Sequence, residues 1–163
     1  MTEEELKALL HYDAETGFFT WKTNRQGTAR AGRIAGNLCN NGYLTIQIKG
    51  KNYRAHRLAF LFMTGEFPTD MCDHINGIRD DNRWVNLRQA TRAENNQNRS
   101  ISSANTSGVK GVCWDKFARK WQAQICINSK NAHLGYFTTL AAAELAVQEA
   151  RIKLHGEFSN HGN

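Results

Sequence analysis

The stretch Cys72-Asp73-His74-Ile75-Asn76-Gly77 decides how this chain is read. It continues as Asp80-Asp81-Asn82-Arg83-Trp84-Val85-Asn86-Leu87-Arg88 and Thr91-Arg92-Ala93-Glu94-Asn95. The pattern is a strand at 71–75, a polar loop, a second strand at 86–90, and a helix opened by the capping box Thr91-x-x-Glu94. That order can bring a side chain of the first strand and one of the helix to a common point. Asp73 and Asn95 offer oxygen ligands there, the kind a hard divalent cation prefers. They are too few for an all-protein cage, so Mg2+ or Mn2+ in such a set keeps waters and takes substrate phosphate oxygens. His74, near neutrality in intrinsic pKa, is the natural general base for a water attacking phosphorus. Taken singly these residues are ordinary, since a lone Asp-His pair is more often a surface turn. Asp80 and Asp81, placed before Asn82, are read as holding the loop. His56, beside Leu58 and Phe60, is read as a hydrogen-bonded structural histidine, and Cys72 as a small buried side chain. Arg54 and Arg57 are candidates to clamp phosphate.

Upstream, Thr2-Glu3-Glu4-Glu5 is a second capping box, opening a short helix with Leu6, Leu9 and Leu10 on one face. A turn over Asp13 to Gly17 leads to a strand at 17–21. Asn41-Gly42 ahead of Tyr43-Leu44-Thr45-Ile46-Gln47-Ile48 is a hairpin signal, and Lys49-Gly50-Lys51-Asn52 turns the chain back into Tyr53-Arg54-Ala55-His56. The apolar run Arg57 to Met63 reads as a helix ended by Gly65 to Pro68. Downstream, the small polar residues 99–108 form the linker candidate. Three strand-like segments follow, at 109–114, 119–127 and 131–137, and then a helix over 139–155 with Leu140, Ala143, Val147, Ala150 and Leu154 at helical spacing. The fold class expected is α+β: a β-rich first domain over 1–99, with its functional core about 53–99, a linker at 100–106, and a three-stranded antiparallel sheet plus one helix over 107–160.

The chain has 163 residues and a formal charge of +6, with 21 Lys and Arg against 15 Asp and Glu. The charge is unevenly spread. Residues 16–65 carry eight bases and no acid, residues 66–100 are near neutral at −1, and residues 101–143 carry five bases against Asp115 alone. Such a bias is what a polyanionic partner rewards through counterion release. The length excludes a large catalytic barrel. No apolar run approaches the roughly 18 residues that span a bilayer, so no membrane partner is expected. The acidic N-terminus is unlike a secretion signal. The four cysteines show neither a C-x-x-C pair nor a zinc-finger spacing and are read as free thiols in a reducing, cytoplasmic setting.

Asp73-His74, Asn86 and Asn95, with Ala55-His56-Arg57-Leu58-Ala59 before them, resemble the HNH (ββα-metal) endonucleases of phage and intron homing type. The similarity runs from about Tyr53 to Asn98, with weaker support from the N-terminal segment. It implies His74 as general base, Asp73 and Asn95 as ligands of one divalent metal ion, Mg2+ or Mn2+, and Asn86 as the middle Asn of the motif, a loop-bracing residue. The last motif letter is Asn rather than His, as in the homing branch.

Residues 105–160 resemble the Apetala-two, or plant ethylene-response-factor, DNA-binding domain. The similarity rests on Ser107-Gly108-Val109-Lys110-Gly111-Val112, Arg119-Lys120-Trp121-Gln122-Ala123-Gln124-Ile125, Leu134-Gly135-Tyr136-Phe137 and Ala141-Ala142-Ala143. Such domains lay a three-stranded sheet into the major groove. Strand alternation points the same way. Trp121, Ala123, Ile125 and Ile127 face one side with Ala132 and Leu134 of the next strand. Lys120, Gln122, Gln124, Cys126, Asn128, Asn131 and His133 face the other. That bare face offers Lys for phosphate and Gln or Asn for adenine edges. Lys110, Lys116, Arg119, Lys120, Gln122, Gln124 and His133 are the expected DNA contacts, while Trp114 and Phe117 are read as packing. Cys113 and Cys126 stand where the plant domains carry DNA-reading arginines, so the plant sequence preference does not transfer.

The expectation is a metal-dependent endonuclease on duplex DNA, nicking in the homing manner, monomeric, with no small-molecule cofactor. The rivals are a non-catalytic DNA-binding regulator on a degenerate nuclease scaffold and a protein–protein adaptor with basic faces.

Overall fold

The computed structural model describes every residue except Gln26, Thr28, Asn128, Ser129 and Asn163. The chain divides between Ala90 and Thr91 into two compact units, together an α+β protein of small antiparallel sheets and four helices among the described residues. None of those helices is long and apolar enough to cross a membrane.

In the first unit α1 (Glu3–Leu9) starts at the predicted capping box, with Thr2 and Glu5 each bonding the other's backbone N–H. Leu6 is buried, but Leu10, which the leucine pattern had read as helix, opens a strand, β1 (Leu10–Tyr12). Three residues are too few to display an alternation. β1 pairs antiparallel with β2 (Phe19–Trp21), and Leu10, Tyr12, Phe19 and Trp21 enter the core. β3 (Asn37–Leu38), β4 (Leu44–Ile48) and β5 (Lys51–Arg54) form a meander. Lys49 and Gly50 both have positive φ, 50° and 77°, the two-residue hairpin turn whose twist suits its strands. That turn starts β5 at Lys51 and helix α2 (Ala55–Thr64) at Ala55, ahead of the predicted start at Arg57. α2 buries Ala55, Leu58, Ala59, Phe60 and Leu61 against α1 and the meander and stops at Gly65, in the left-handed conformation. β6 (Met71–His74) and β7 (Leu87–Ala90) then pair with Asp73 opposite Arg88 and His74 opposite Leu87.

In the second unit α3 (Arg92–Gln97) opens at Thr91 with the predicted capping box in place. β8 (Val112–Asp115), β9 (Lys120–Ile127) and β10 (Lys130–Phe137) form a sheet in the order β10-β9-β8, backed by α4 (Leu140–His155). Its core is small: Val112, Ala123, Ala143 and Val147, with Trp121, Leu134, Phe137 and Leu140 packed around them. The buried stripe of α4 is Ala143, Val147, Arg151 and His155, whereas the spacing had placed Ala150 and Leu154 inside; Leu154 is 46% exposed.

Residues 100–106, the expected linker, carry no helix or strand. The sequence carries the first domain through residue 99, yet α3 packs with the second unit. The reason lies in polar ties: Asn160 Nδ2 donates to Asn98 O and Oδ1, and Lys110 Nζ donates to the carbonyls of Gln97, Arg99 and Asn160. A 3-10 turn at Gly156–Phe158 packs on α3.

Candidate active site

Asp73 and His74 end β6, each 4% exposed. Their burial follows from the hairpin. β7 supplies Arg88 directly across from Asp73, and its Nε and Nη2 both donate to Asp73 Oδ2, at 2.9 and 2.8 Å. Arg88 had no assigned role in the sequence; its signal is the register, which only a paired hairpin reveals.

The polar loop after β6 folds back over His74. Asn82, 1% exposed, donates from Nδ2 to Asp80 O at 3.0 Å, which turns its Oδ1 toward His74 Nε2 at 3.2 Å. An amide oxygen only accepts, so Nε2 carries the ring proton and Nδ1 carries the lone pair. Burial lowers the His74 pKa below the ordinary histidine range, against the opposing pull of the Asn82 bond and the carboxylates of Asp73, Asp81 and Asp80. Asn86 braces the same loop: its Oδ1 accepts from Asn76 N and its Nδ2 donates to Asp81 O. Asp81 is held by Arg83 and Asn76, which depress its carboxyl to about 2.

The N-terminal hairpin anchors this loop from behind. Tyr12 OH donates to Asn82 O at 2.6 Å, and Trp84 N donates to Ala14 O. Gly17, at φ 75°, lies so close to Asn82 and Arg83 that a Cβ there would stand 2.5 Å from backbone atoms of both.

On the other side of His74 lies a ring cluster. The His56 ring is 5.0 Å and the Tyr43 ring 5.9 Å from that of His74, centroid to centroid. Arg54 and Arg79 stack on Tyr43 at 4.4 and 5.3 Å, and both donate to Asn41, through its Oδ1 and its carbonyl. Tyr43 and Arg79 escaped the sequence reading; the Asn41-Gly42 turn ahead of Tyr43 was their only signal. His56 departs from expectation, because its Nδ1 is buried without a hydrogen-bond partner among the described residues. Burial first, then the charges of His74, Arg54 and Arg57, pull its pKa down to about 3. Arg57 departs too. Its guanidinium donates to the carbonyls of Asp70 and Pro68 and lies over Phe67, which ties down a loop instead of facing a phosphate. Cys72 is half-buried, and its thiol is pushed up to about 12, chiefly by burial.

In the second unit Asn95 sits half-buried on α3. Of the residues expected on the bare face, Cys126, Asn131 and His133 are exposed and Gln122 and Gln124 half-buried; Asn128 lies outside the described residues. Gln122 Nε2 is 3.3 Å from His133 Nδ1. A bulge between His133 and Gly135 shifts the register and turns Tyr136 outward beside His133, an addition that strict alternation could not foresee. Lys116, Arg119 and Lys120 are exposed at the β8–β9 turn. Lys110 is not on this face, because its ammonium is spent on three backbone carbonyls. Phe117 packs on nothing. Asp115 Oδ1 accepts from the N–H groups of Phe117 and Ala118, and the turn so formed leaves Phe117 fully exposed at its tip. Trp114 does pack, edge-on against Trp121, yet keeps 45% of its surface exposed.

A buried Asp-His pair on a β-hairpin, followed in sequence by a capped helix bearing Asn95, has the element order of a ββα motif. Residues 53–97 match the HNH endonuclease family, and the chain belongs to it. It is 32% identical over 87 residues to Protein 3.8 of Escherichia phage T7, across 53% of this chain and 71% of that protein. Among solved structures it is similar to the one described as "DNA binding and cleavage by the HNH homing endonuclease I-HmuI", at 18% identity and a TM-score of 0.45, covering 94% of this chain and 86% of that one.

HNH nucleases are typically dependent on a divalent metal. Among the described residues no group of three His, Cys, Asp or Glu side chains forms a cation site. In the first unit the buried carboxylate of Asp73 is a hard oxygen donor, of the kind that suits a cation that keeps its waters. Arg88 holds the carboxylate of Asp73 through Oδ2.

Proposed function

We propose that the chain is a divalent-metal-dependent endonuclease that hydrolyses phosphodiester bonds of duplex DNA, with His74 as general base. The observation that carries this reading is the fixed tautomer of His74: Asn82 holds the Nε2 proton, which makes Nδ1 the basic atom of a buried, neutral ring. In the proposed reaction His74 Nδ1 takes a proton from water, the water oxygen bonds to phosphorus, and the P–O3′ bond breaks; O3′ takes a proton from solvent water, leaving a 5′-phosphate and a 3′-hydroxyl. Asp73 and Asn95 would hold one Mg2+ or Mn2+ ion, which would supply Lewis-acid stabilisation of negative charge when bound. Arg88 orients Asp73, and Asn86 braces the loop. Arg54 and Arg79, stacked on Tyr43 beside His74, are positioned to meet substrate phosphate.

The second unit, in this reading, is a DNA-binding module of Apetala-two type that lays its bare sheet face on the duplex. Gln122, Gln124 and His133 meet bases, and Lys116, Arg119 and Lys120 meet phosphates. The exposure of Lys116, Arg119, Lys120 and His133 supports the assignment, with Gln122 and Gln124 half-buried. One site per chain suits nicking by a monomer, and the phage relative supports a bacterial cytoplasm as the place of action.

The test is relaxation of supercoiled plasmid with Mg2+ or Mn2+, with EDTA as control and His74→Ala beside the wild type. Metal-dependent nicking by the wild type, reduced at least a hundredfold in the variant, is expected. Equal rates in both would remove His74 as the base. Salt-sensitive DNA binding without any cleavage would establish the regulator in its place.

A further inference from the structure

The buried stripe of α4 changes character halfway along. Ala143 and Val147 face the small core, but Arg151 and His155, one and two turns further on, are also buried, at 3% and 9% exposure. They line a cavity of about 220 Å3 within the second unit, together with Lys110, Asn96, Gln97 and Asn131. A water occupies about 30 Å3 in the liquid, so the space holds a tetrahedral oxyanion with room to spare. Among the described residues that line it there is no Asp or Glu. Burying guanidinium and ammonium groups together without a carboxylate is costly, and the cost is recovered when an anion enters.

Two polar atoms in the lining are buried without a hydrogen-bond partner among the described residues: Arg151 Nη1 and His155 Nδ1. The rest of each side chain is committed. Arg151 Nη2 donates to the carbonyl of Lys110, and His155 Nε2 donates to the carbonyl of Cys126 at 3.0 Å. Since a carbonyl only accepts, Nε2 holds the His155 ring proton and Nδ1 of the neutral ring is an acceptor. Burial, reinforced by the neighbouring charges of Lys110 and Arg151, lowers the His155 pKa and keeps the ring neutral, against the pull of the Cys126 bond. The cavity therefore presents a charged donor, an ammonium that adds charge while bonded to three carbonyls, and a histidine acceptor.

We propose that this cavity binds a phosphate that carries a proton: hydrogenphosphate, or the singly protonated phosphomonoester of a nucleotide, a form present in quantity only at and below its second pKa of about 6. Arg151 Nη1 donates to a phosphoryl oxygen, and the P–O–H group donates to His155 Nδ1. A fully ionised tetrahedral anion such as sulfate, and a phosphodiester of the DNA backbone, satisfy the arginine but have no proton for the histidine. The inference stands on α4 and its neighbours alone and does not draw on the nuclease reading.

The experiment is calorimetric titration of the full chain with inorganic phosphate, sulfate and a nucleoside 5′-monophosphate at about pH 6, where the monoester carries its proton about half the time. A parallel titration follows the ring nitrogens of His155 by 15N NMR. Phosphate is expected to bind at least tenfold more tightly than sulfate and to shift the Nδ1 resonance, with Nε2 nearly unmoved. His155→Leu should reduce the preference for phosphate to less than threefold. A nucleoside monophosphate that binds as tightly as inorganic phosphate identifies a phosphomonoester site; one that binds at least tenfold more weakly identifies a site for the free ion. Absence of binding at millimolar phosphate, equal affinity for sulfate, or an unmoved Nδ1 resonance overturns the proposal. The selectivity and the resonance are read on the wild type, so the outcome does not depend on the variant folding.

Discussion

His74 owes its tautomer to Asn82, and Asn82 owes its orientation to the carbonyl of Asp80. Asn82 is thus a positioning residue in the proposed reaction. Asn82→Ala frees the imidazole to rotate and to exchange tautomers; nicking should fall about ten- to a hundredfold, by analogy with other groups that orient a catalytic histidine, with DNA affinity within twofold of wild type. Equal loss of affinity and rate would instead assign Asn82 to substrate binding. His56 permits a prediction on stability. Its folded-state pKa, about 3, lies below the ordinary histidine value of 6.5. As pH falls the unfolded chain therefore takes the proton first. The stabilisation is whole above 6.5 and is lost as pH drops from there toward 3. Urea unfolding of wild type and His56→Gln between pH 6 and pH 4 should show the wild type losing up to about 1.4 kcal/mol more per pH unit. Parallel curves would mean that His56 is solvated in the folded protein.

At the scale of elements, the hairpin β1–β2 looks remote from the chemistry, yet it holds the Asn82 loop through Tyr12, Ala14 and Gly17. Gly17→Ala adds a methyl group 2.5 Å from the backbone of Asn82 and Arg83, at a φ of 75°. A destabilisation above about 1 kcal/mol is expected from the conformation alone, measured by chemical unfolding. The nicking rate at a temperature where the variant remains folded should also fall, because the loop that orients His74 must move. A variant that is destabilised but cleaves at the wild-type rate would show that the hairpin supports the fold without setting the site. The hairpin β6–β7 works differently: its register alone creates the Asp73–Arg88 pair, so any slip of one residue would remove it.

For the whole molecule the relevant quantity is the distribution of charge. The +6 resolves into a strongly basic stretch before β6 and a second on the C-terminal sheet, and the structure separates the bases that are spent from those that are exposed. Arg57 and Lys110 are committed to backbone carbonyls, whereas Lys116, Arg119 and Lys120 are not buried. Substituting all three by Ala should reduce the slope of log Kobs against log salt for duplex binding by about 1 per side chain removed. Arg57→Ala should leave that slope unchanged and lower stability instead. The reverse pattern would exchange their roles.

The α+β class, the capping boxes at Thr2 and Thr91, the hairpin turns and the Asp73-His74 pair were all legible in the residues themselves. Each depends on contacts within a few positions along the chain, and the local pattern states them directly. Other features rest on contacts between distant segments and became visible only in the folded chain. Arg88 reaches Asp73 because two strands pair in one register, and Asn82 reaches His74 because a loop folds back under the grip of Tyr12. Tyr43 gathers Arg54 and Arg79 because a hairpin turn swings it beside α2. Lys110 and Arg57 read as solvent-facing bases, yet tertiary packing presented them with carbonyls that no local pattern announces. The α4 stripe shows the limit most clearly. Helical periodicity assigns apolar residues to the inside, but here the fold buries Arg151 and His155, because the wall they face is a polar cavity and not a core.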